Sequence, residues 1–194
     1  MSELASPKTK SKRREILEWI AVVVLALLLA FGVRTFLVQP FRVQMGSMTP
    51  TILNDDLILV NKLAFISAGP KRGDIVVFHP PKNVNHGEEY IKRVIGLPGE
   101  WIDYDQDTKT VYINGVPFIE ENRFPDTDYN QEILPPKSEG HKRGELLGDN
   151  EYFVLGDNRD SSKDSRSFGA IERKSIVGEA FVIFWPLNRF HIIR

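Results

Sequence analysis

The sequence predicts a mainly β protein with a single transmembrane helix near its N-terminus. Residues 16–38 form an almost unbroken apolar run. After residue 40, apolar residues come in short runs separated by Gly, Pro and Asn, and no window there repeats with the 3.6-residue period of a helix. With 194 residues, the chain fits one ordinary domain plus one short additional segment.

The apolar run has the length and composition of a membrane span. Roughly 20 apolar residues at 1.5 Å each cross the hydrocarbon layer of about 30 Å. The run is apolar on every face, unlike a helix that packs on a soluble core. Cations precede it at Lys8, Lys10, Lys12, Arg13 and Arg14. The positive-inside rule therefore predicts a basic cytoplasmic tail (1–15), an anchor in the cell membrane (16–38) and an extracytoplasmic β domain (39–194).

A cleavable signal peptide is the alternative for the same segment. Its basic beginning fits, and residues 30–32 form a small-x-small triplet of the kind found at cleavage sites. The apolar character runs past the usual length of such peptides, which favours an anchor that is retained. Cleavage at the triplet would make Val33 the first residue of the mature protein.

Short alternating runs predict the strands of the β domain. Asn114-Gly115 is a strong two-residue turn signal that closes one hairpin. Residues 120–150 are rich in charged residues, Pro, Asn and Gly, which predicts a long loop or ribbon outside the core. The predicted strands are 57–60, 74–79, 90–95, 101–104, 110–113, 116–119, 151–155 and 176–185.

Composition excludes several classes of function. The chain has no cysteine, which excludes disulfides, thiolate catalysis and cysteine-ligated zinc. Its formal net charge of -1 gives no basic field for a nucleic acid. No two histidines have the i, i+4 spacing of a helical zinc site. We therefore expect no metal, no cofactor and no nucleic-acid partner.

Three polar positions are candidates for chemistry. Gly46 and Pro50 favour a tightly held turn around Ser47, although serine is also an ordinary turn residue. Lys92 lies within an apolar strand, where burial would lower its pKa and make the amine a usable base. The alternative for Lys92 is a half-exposed lysine with its tip in solvent.

The third candidate is the segment 156–169, in which acids and bases alternate densely. Solvated surface ion pairs are one interpretation. The other is a hydrogen-bonded scaffold in which hydroxyls such as that of Ser162 orient a neutral lysine.

Taken together, these segments resemble bacterial type I signal peptidases (leader peptidases). Residues 47–51 are similar to the Ser-Met-x-Pro-Thr segment that carries the nucleophile of that family. Residues 90–100 resemble the segment with its general-base lysine, including the Gly-x-Pro-Gly turn. Residues 156–166 match the family signature Gly-Asp-Asn-Arg-Asp-x-Ser-x-Asp-Ser-Arg.

The resemblance implies a membrane-anchored serine endopeptidase with a Ser-Lys dyad. Ser47 would be the nucleophile, Lys92 the base and Ser162 the hydroxyl that hydrogen-bonds the lysine. The scaffold of the signature segment would comprise Asp157, Arg159, Asp164 and Arg166. The implied fold is a coiled, largely antiparallel β-sheet domain in which residues 100–150 form a variable insertion. The implied partners are signal-peptide-bearing precursors, the lipid bilayer and the export translocon.

One position departs from part of that family. Some members carry a serine two residues before the nucleophile, where its hydroxyl helps to bind the oxyanion. This chain has Met45 there, which cannot donate a hydrogen bond. Met45 therefore leaves a catalytically impaired relative as one alternative. Two further alternatives are a self-cleaving Ser-Lys protease of the repressor type and a tethered β domain that only binds a partner.

Overall fold

The computed structural model describes residues 12–82, 84, 87–118 and 144–193. The chain divides into two units, one ending at Val38 and the other beginning at Gln39. The first contains helix α1, Lys12–Phe36, whose part Lys12–Gly32 is long and apolar enough to cross a membrane. Its side chains are exposed from residue 12 to residue 31. The prediction of an apolar helix is confirmed, with its end at Phe36 and the next strand already beginning at Val38.

The second unit is built around a large sheet of eight strands. Its order is β1-β2-β11-β3-β4-β9-β10, and β12 also pairs with β11. Every register that the structure gives is antiparallel. The strands are β1 (Val38–Arg42), β2 (Leu57–Asn61), β3 (Ile75–Phe78), β4 (Tyr90–Gly96), β9 (Glu151–Leu155), β10 (Ile171–Glu172), β11 (Ile176–Trp185) and β12 (His191–Ile192).

A smaller sheet has the order β7-β6-β5-β8. Its strands are β5 (Trp101–Asp105), β6 (Thr110–Ile113), β7 (Val116–Pro117) and β8 (Glu145–Leu146). The predicted turn is confirmed, because Asn114 and Gly115 have φ angles of 50° and 81°, as a type I′ turn requires. Residues 144–150 were predicted to be loop, but β8 lies there and pairs with β5. The rest of the predicted loop or ribbon, 120–143, lies outside the described residues, as does residue 119 at the end of the predicted strand 116–119.

The mainly β prediction is confirmed, and the predicted strands match observed ones within two residues. The pattern missed β1, β8, β10, β12 and the four-residue helix α2 (Ser165–Phe168). All five elements have only two to five residues and give little alternation or amphipathicity to detect.

Three buried clusters hold the two sheets. One lies between β1, β2 and β11 and includes Met48 and Ile52 from the connection after β1. A second lies on the smaller sheet, and a third packs on β3, β4 and β9. Arg72 and Glu100 form a half-buried ion pair, 3.1 Å between Nη1 and Oε2. Strand β4 lies between β3 and β9 in the large sheet, so a polar side chain on this strand is withdrawn from water.

Candidate active site

The connection between β1 and β2 holds Ser47 in place from both sides. Met48 is fully buried immediately after it, and its carbonyl accepts a hydrogen bond from the Ile52 N–H at 3.0 Å. The Asn158 N–H donates to the Ser47 carbonyl at 3.0 Å, and its side-chain amide donates to the Gly46 carbonyl at 3.1 Å. Buried apolar contacts and backbone hydrogen bonds, rather than ion pairs, therefore fix this serine.

Lys92 lies on β4 and reaches Ser47 directly. Its side chain is 3% exposed, and its Nζ donates to Ser47 Oγ at 2.7 Å. Nζ also donates to the Ile91 carbonyl at 2.9 Å and lies 5.3 Å from the centre of the Tyr90 ring. Among the described residues, no carboxylate lies within ion-pair distance of this amine. The neighbours of Lys92 thus accept hydrogen bonds without neutralising a charge.

Burial lowers the pKa of Lys92 from 10.5 to about 8, because an ammonium loses its hydration in this position. The negative charges of Asp164 and Asp157 oppose this shift only partly. A substantial fraction of the amine is therefore neutral at mildly alkaline pH. Such an amine, at hydrogen-bond distance from a hydroxyl, is able to accept the proton of that hydroxyl.

The next residue on β4, Arg93, is fully paired. Its Nε and Nη2 donate to the two carboxylate oxygens of Asp157 at 2.8 and 2.6 Å, and its Nη1 donates to the Gly73 carbonyl at 2.9 Å. Asp157 also accepts a hydrogen bond from Thr51 Oγ1 at 2.5 Å. One carboxylate therefore links β4, the Ser47 segment and the segment that follows β9.

The segment from Gly156 to Phe168, here called the signature loop, is organised around Asp164. This carboxylate is 0% exposed and accepts hydrogen bonds from Arg166 Nε and Nη2, both at 2.8 Å, and from the Gly156 N–H at 3.1 Å. Burial opposes ionisation of Asp164, but the hydrogen bonds from Arg166 and Gly156 outweigh it and lower its pKa. Arg159 donates from Nε to the Gly156 carbonyl at 2.9 Å. Burial, followed by the charge of Arg166, lowers the pKa of Arg159 to about 10.

Ser162 differs from its prediction. Its Oγ is buried and, within the described part of the chain, forms no hydrogen bond to Lys92; the hydroxyl instead lies near Asp164, whose pKa it helps to lower. The hydroxyl is nevertheless close to the site. A Cβ at Gly156 would lie 2.2 Å from Ser162 Oγ and 2.5 Å from the Ser47 carbonyl oxygen. The absence of a side chain at Gly156 therefore allows the signature loop to approach the Ser47 segment.

A groove of about 680 Å³ opens beside Ser47 and Lys92. Its apolar lining includes Val43 and Ile91, and Met45 lies at its surface. Charged and polar residues form its rim, namely Arg42, Glu88, Glu89, Ser161 and Lys163. Ser47 and Lys92 both line this groove, so a peptide bound in it would meet the serine hydroxyl and the amine together, which is the arrangement that peptide hydrolysis needs.

Sequence reasoning assigned no role to Asn158 or Thr51, although both lie within the quoted segments. Their contacts are with residues 112 and 106 positions away, respectively, along the chain. No group of three or more potential metal ligands occurs among the residues that the structure describes.

Comparison with known proteins gives a consistent result over almost the entire chain. The family described as "Signal peptidase, peptidase S26" matches residues 16–185. The chain is 36% identical to "Signal peptidase IB" of Staphylococcus aureus (strain COL) over 185 residues, covering 92% of this chain and 94% of that protein. It is 40% identical to "Signal peptidase I P" of Bacillus subtilis subsp. natto over 192 residues, covering 94% and 96%.

A solved structure also matches. It is the crystal structure of a signal peptidase I from Enterococcus faecalis V583, with 36% sequence identity and a TM-score of 0.39. The match covers 57% of this chain and 95% of that one.

Proposed function

Since this chain belongs to the signal peptidase family, peptidase S26, we propose that it is a membrane-anchored serine endopeptidase that removes signal peptides from exported precursors. The 2.7 Å hydrogen bond between Lys92 Nζ and Ser47 Oγ carries the proposal. It joins a buried amine of lowered pKa to a hydroxyl at the floor of a groove. These are the parts of a Ser-Lys dyad.

In the proposed reaction, neutral Lys92 takes the proton of the Ser47 hydroxyl as Oγ attacks the scissile carbonyl. The tetrahedral intermediate then collapses, the C–N bond breaks, and the Lys92 ammonium returns the proton to the leaving amine. Water, deprotonated by Lys92, attacks the acyl-enzyme and releases the new carboxyl terminus and the Ser47 hydroxyl. Atoms and protons balance over the two steps, and no metal takes part.

The oxyanion would be bound by the Ser47 N–H. Among the described residues this N–H has no acceptor, so it is available to a substrate oxygen. The side chain of Met45 is 64% exposed and offers no donor. Met45 has a φ angle of 72° and donates its N–H to Asn54 Oδ1 at 2.8 Å, which supports a structural role for this backbone at the turn before the nucleophile.

The proposed location follows from helix α1 and its flanking charges. The cations before the helix favour a cytoplasmic N-terminus and an extracytoplasmic β domain. Ser47 lies nine residues beyond Val38, so it is at most roughly 30 Å from the end of the anchor. Signal peptides emerge at the outer surface of the membrane, close to this end of the anchor. This supports the bilayer and the export translocon as partners.

Phe36, Phe41 and Phe65 are aromatic residues that could contact lipid headgroups, but Phe41 and Phe65 pack against buried clusters. The side chain of Phe36 lies outside the described residues. Large apolar side chains that are exposed on the β domain include Trp185, Leu187, Phe190 and Ile192. These four are therefore better candidates for contact with lipid.

The test is cleavage of a synthetic signal-peptide precursor by the detergent-solubilised full chain between pH 6 and 10. We expect cutting after a small residue, with an acid limb near pH 8 from the titration of Lys92. The variants Ser47→Ala and Lys92→Met should abolish cutting, whereas Ser175→Ala and Lys174→Met, which change the same residue types at a distant turn, should not.

Two outcomes would contradict the proposal. Full activity of purified Ser47→Ala or Lys92→Met would show that Ser47 and Lys92 are not the catalytic dyad. No cutting by folded wild-type protein, together with no covalent label on Ser47 from a serine-directed inhibitor, would favour an impaired relative or a binding domain.

A further inference from the structure

The smaller sheet touches the signature loop through one aromatic side chain. Tyr104 on β5 pairs in register with Val111 on β6, and its side chain packs against the buried cluster of that sheet. The centre of its ring lies 5.5 Å from the guanidinium carbon of Arg166. This is the distance at which an aromatic ring attracts a cation.

The same guanidinium holds Asp164. Two hydrogen bonds of 2.8 Å join Arg166 Nε and Nη2 to the two oxygens of that carboxylate. Asp164 first, and the hydroxyl of Tyr104 after it, raise the pKa of Arg166 against the opposing effect of burial. A cavity of about 770 Å³ opens beside the pair and is lined by Tyr104 and Arg166 themselves. The cavity thus leaves room for the Arg166 side chain to turn away from Asp164 once its contact with Tyr104 is lost.

We propose that Tyr104 is a positioning residue of the active site, whose ring holds Arg166 on Asp164 and so fixes the net charge that Lys92 faces. The inference rests on the proposed function of the dyad, and it assigns to the smaller sheet a part in setting the pH range of the reaction. Tyr104 does not touch Lys92 or Ser47 and acts only through the other two residues.

The charges around Lys92 make the direction of the effect predictable. The signature loop presents Asp157 and Asp164 to the amine, and both raise its pKa. Asp157 is compensated by Arg93, on the same strand as Lys92. Asp164 is compensated by Arg166. The nucleophile segment contributes only a hydroxyl, from Ser47, and β4 itself contributes the ring of Tyr90. Arg159 is a further cation near Asp164, and its pKa is affected by Arg166, Asp164, Arg93 and Tyr104.

If the ring is removed, Arg166 is free to move towards the cavity, and Asp164 then faces Lys92 with less compensation. The ammonium form of Lys92 is stabilised, its pKa rises, and the neutral fraction at a given pH falls. We therefore expect the acid limb of kcat/KM for Tyr104→Leu to move up by about half a pH unit. Activity should fall roughly threefold at pH 7 and recover above about pH 9.

Matched variants separate this effect from a general loosening of the sheet. Tyr104→Phe keeps the ring but removes the hydroxyl that also acts on Arg166, so its acid limb should lie between those of the wild type and Tyr104→Leu. Tyr112→Leu makes the same change one strand away, at a position whose register partner is Asp103 rather than Tyr104, and should not move the limb. In an Arg166→Gln background, Tyr104→Leu should add no further shift. If Tyr104→Leu does not fold, Tyr104→Met, with a side chain nearer in length, serves in its place.

The pKa of Lys92 can also be measured without activity, from the pH titration of [ε-13C]lysine-labelled protein by NMR, with the Lys92 signal assigned from Lys92→Met. An upward shift of this pKa in Tyr104→Leu supports the inference even if the wild type cuts nothing, in which case the proposed function fails alone. A uniform loss of kcat/KM with an unmoved limb and an unmoved Lys92 signal overturns the inference and leaves the proposed function intact.

Discussion

Buried charge is treated in opposite ways in two adjoining regions of the molecule. In the signature loop each buried carboxylate accepts two or more charged hydrogen bonds, as Asp157 does from Arg93 and Asp164 from Arg166. Around Lys92, a hydroxyl and a carbonyl are the acceptors, and the amine loses its hydration without gaining a counterion in contact. Paired charges of this kind build a rigid frame, whereas an unpaired amine retains the ability to gain and lose a proton.

Two consecutive residues of β4 show the contrast most directly. Lys92 and Arg93 are both buried, at 3% and 8% exposure, on the same strand. A guanidinium stays charged in proteins and forms a two-pronged pair, whereas a lysine amine shifts its pKa readily. The choice of residue type at each position therefore separates a structural cation from a titrating one.

Removal of the titrating amine should have the largest effect. Lys92→Met should lower kcat by about a thousandfold or more, since it removes a general base. The same variant should be more stable than the wild type at pH 7, by up to about 3 kcal/mol, because the folded state lowers the pKa of Lys92 from 10.5 to about 8. The unfolded chain binds more protons between these values, so wild-type stability rises with pH from about 8 to 10.5 and the difference shrinks there. Denaturant unfolding at pH 7 and pH 10.5 measures the difference in stability between the variant and the wild type. A variant that is less stable than the wild type at pH 7 would contradict this prediction.

Removal of a counterion should come next. Asp157→Asn leaves the buried guanidinium of Arg93 without its carboxylate and should cost about 3–5 kcal/mol of stability. It also removes a charge that raises the pKa of Lys92, so the acid limb of the remaining activity should move to lower pH. Thermal unfolding and a pH–rate profile test both effects, with Asp149→Asn in an exposed turn as the control. An unchanged unfolding midpoint would show that the ion pair between Asp157 and Arg93 does not stabilise the fold.

An ion pair away from the dyad should sharpen the distinction. Glu100→Gln breaks the half-buried pair with Arg72, whose side chains are 13% and 14% exposed, and should cost about 1–3 kcal/mol. The acid limb should stay in place, because neither group is among the charges that shift the pKa of Lys92. A displaced acid limb in this variant would mean that a loss of stability is enough to shift the apparent pKa of Lys92.

The smallest effect is expected at the surface of the signature loop. Asp160 pairs with Lys109 at 2.6 Å, but the two side chains are 79% and 67% exposed. Water and salt screen such a pair, so Asp160→Asn should change neither the unfolding midpoint nor the acid limb. The comparison with Asp157→Asn, three residues earlier, tests whether burial of a charge rather than its place in the loop decides its effect.

The sequence predicted those elements whose information is local. Short apolar or alternating runs of four or more residues located β2, β3, β4, β9 and β11, and Asn114-Gly115 located a turn. Ser47, Lys92 and the charged residues of the signature loop were recognisable from contiguous segments. Two-residue ladders such as β8 and β10 were not, because their register is set by the strand on which they pair.

Contacts between distant segments were equally out of reach. The segment 156–169 contains several acids and bases, and nothing local tells that Asp157 pairs with Arg93, 64 residues away, while Asp164 pairs with Arg166. The predicted bond from Ser162 to Lys92 failed for a related reason. Whether the Ser162 hydroxyl reaches the amine depends on how the signature loop packs on β4, and the resemblance carried no information on that distance.

The signature loop contains both exposed and buried positions, and this has a consequence for protein engineering. Ser161 and Lys163 are exposed at the rim of the groove, whereas Gly156 and Asp164 are buried. A library that varies the two exposed positions would change the surface met by a passing peptide without disturbing the ion pairs beneath it. Selection from such a library should yield enzymes with altered cleavage preferences, whereas a second library that varies positions 156 and 164 should return only glycine and aspartate there.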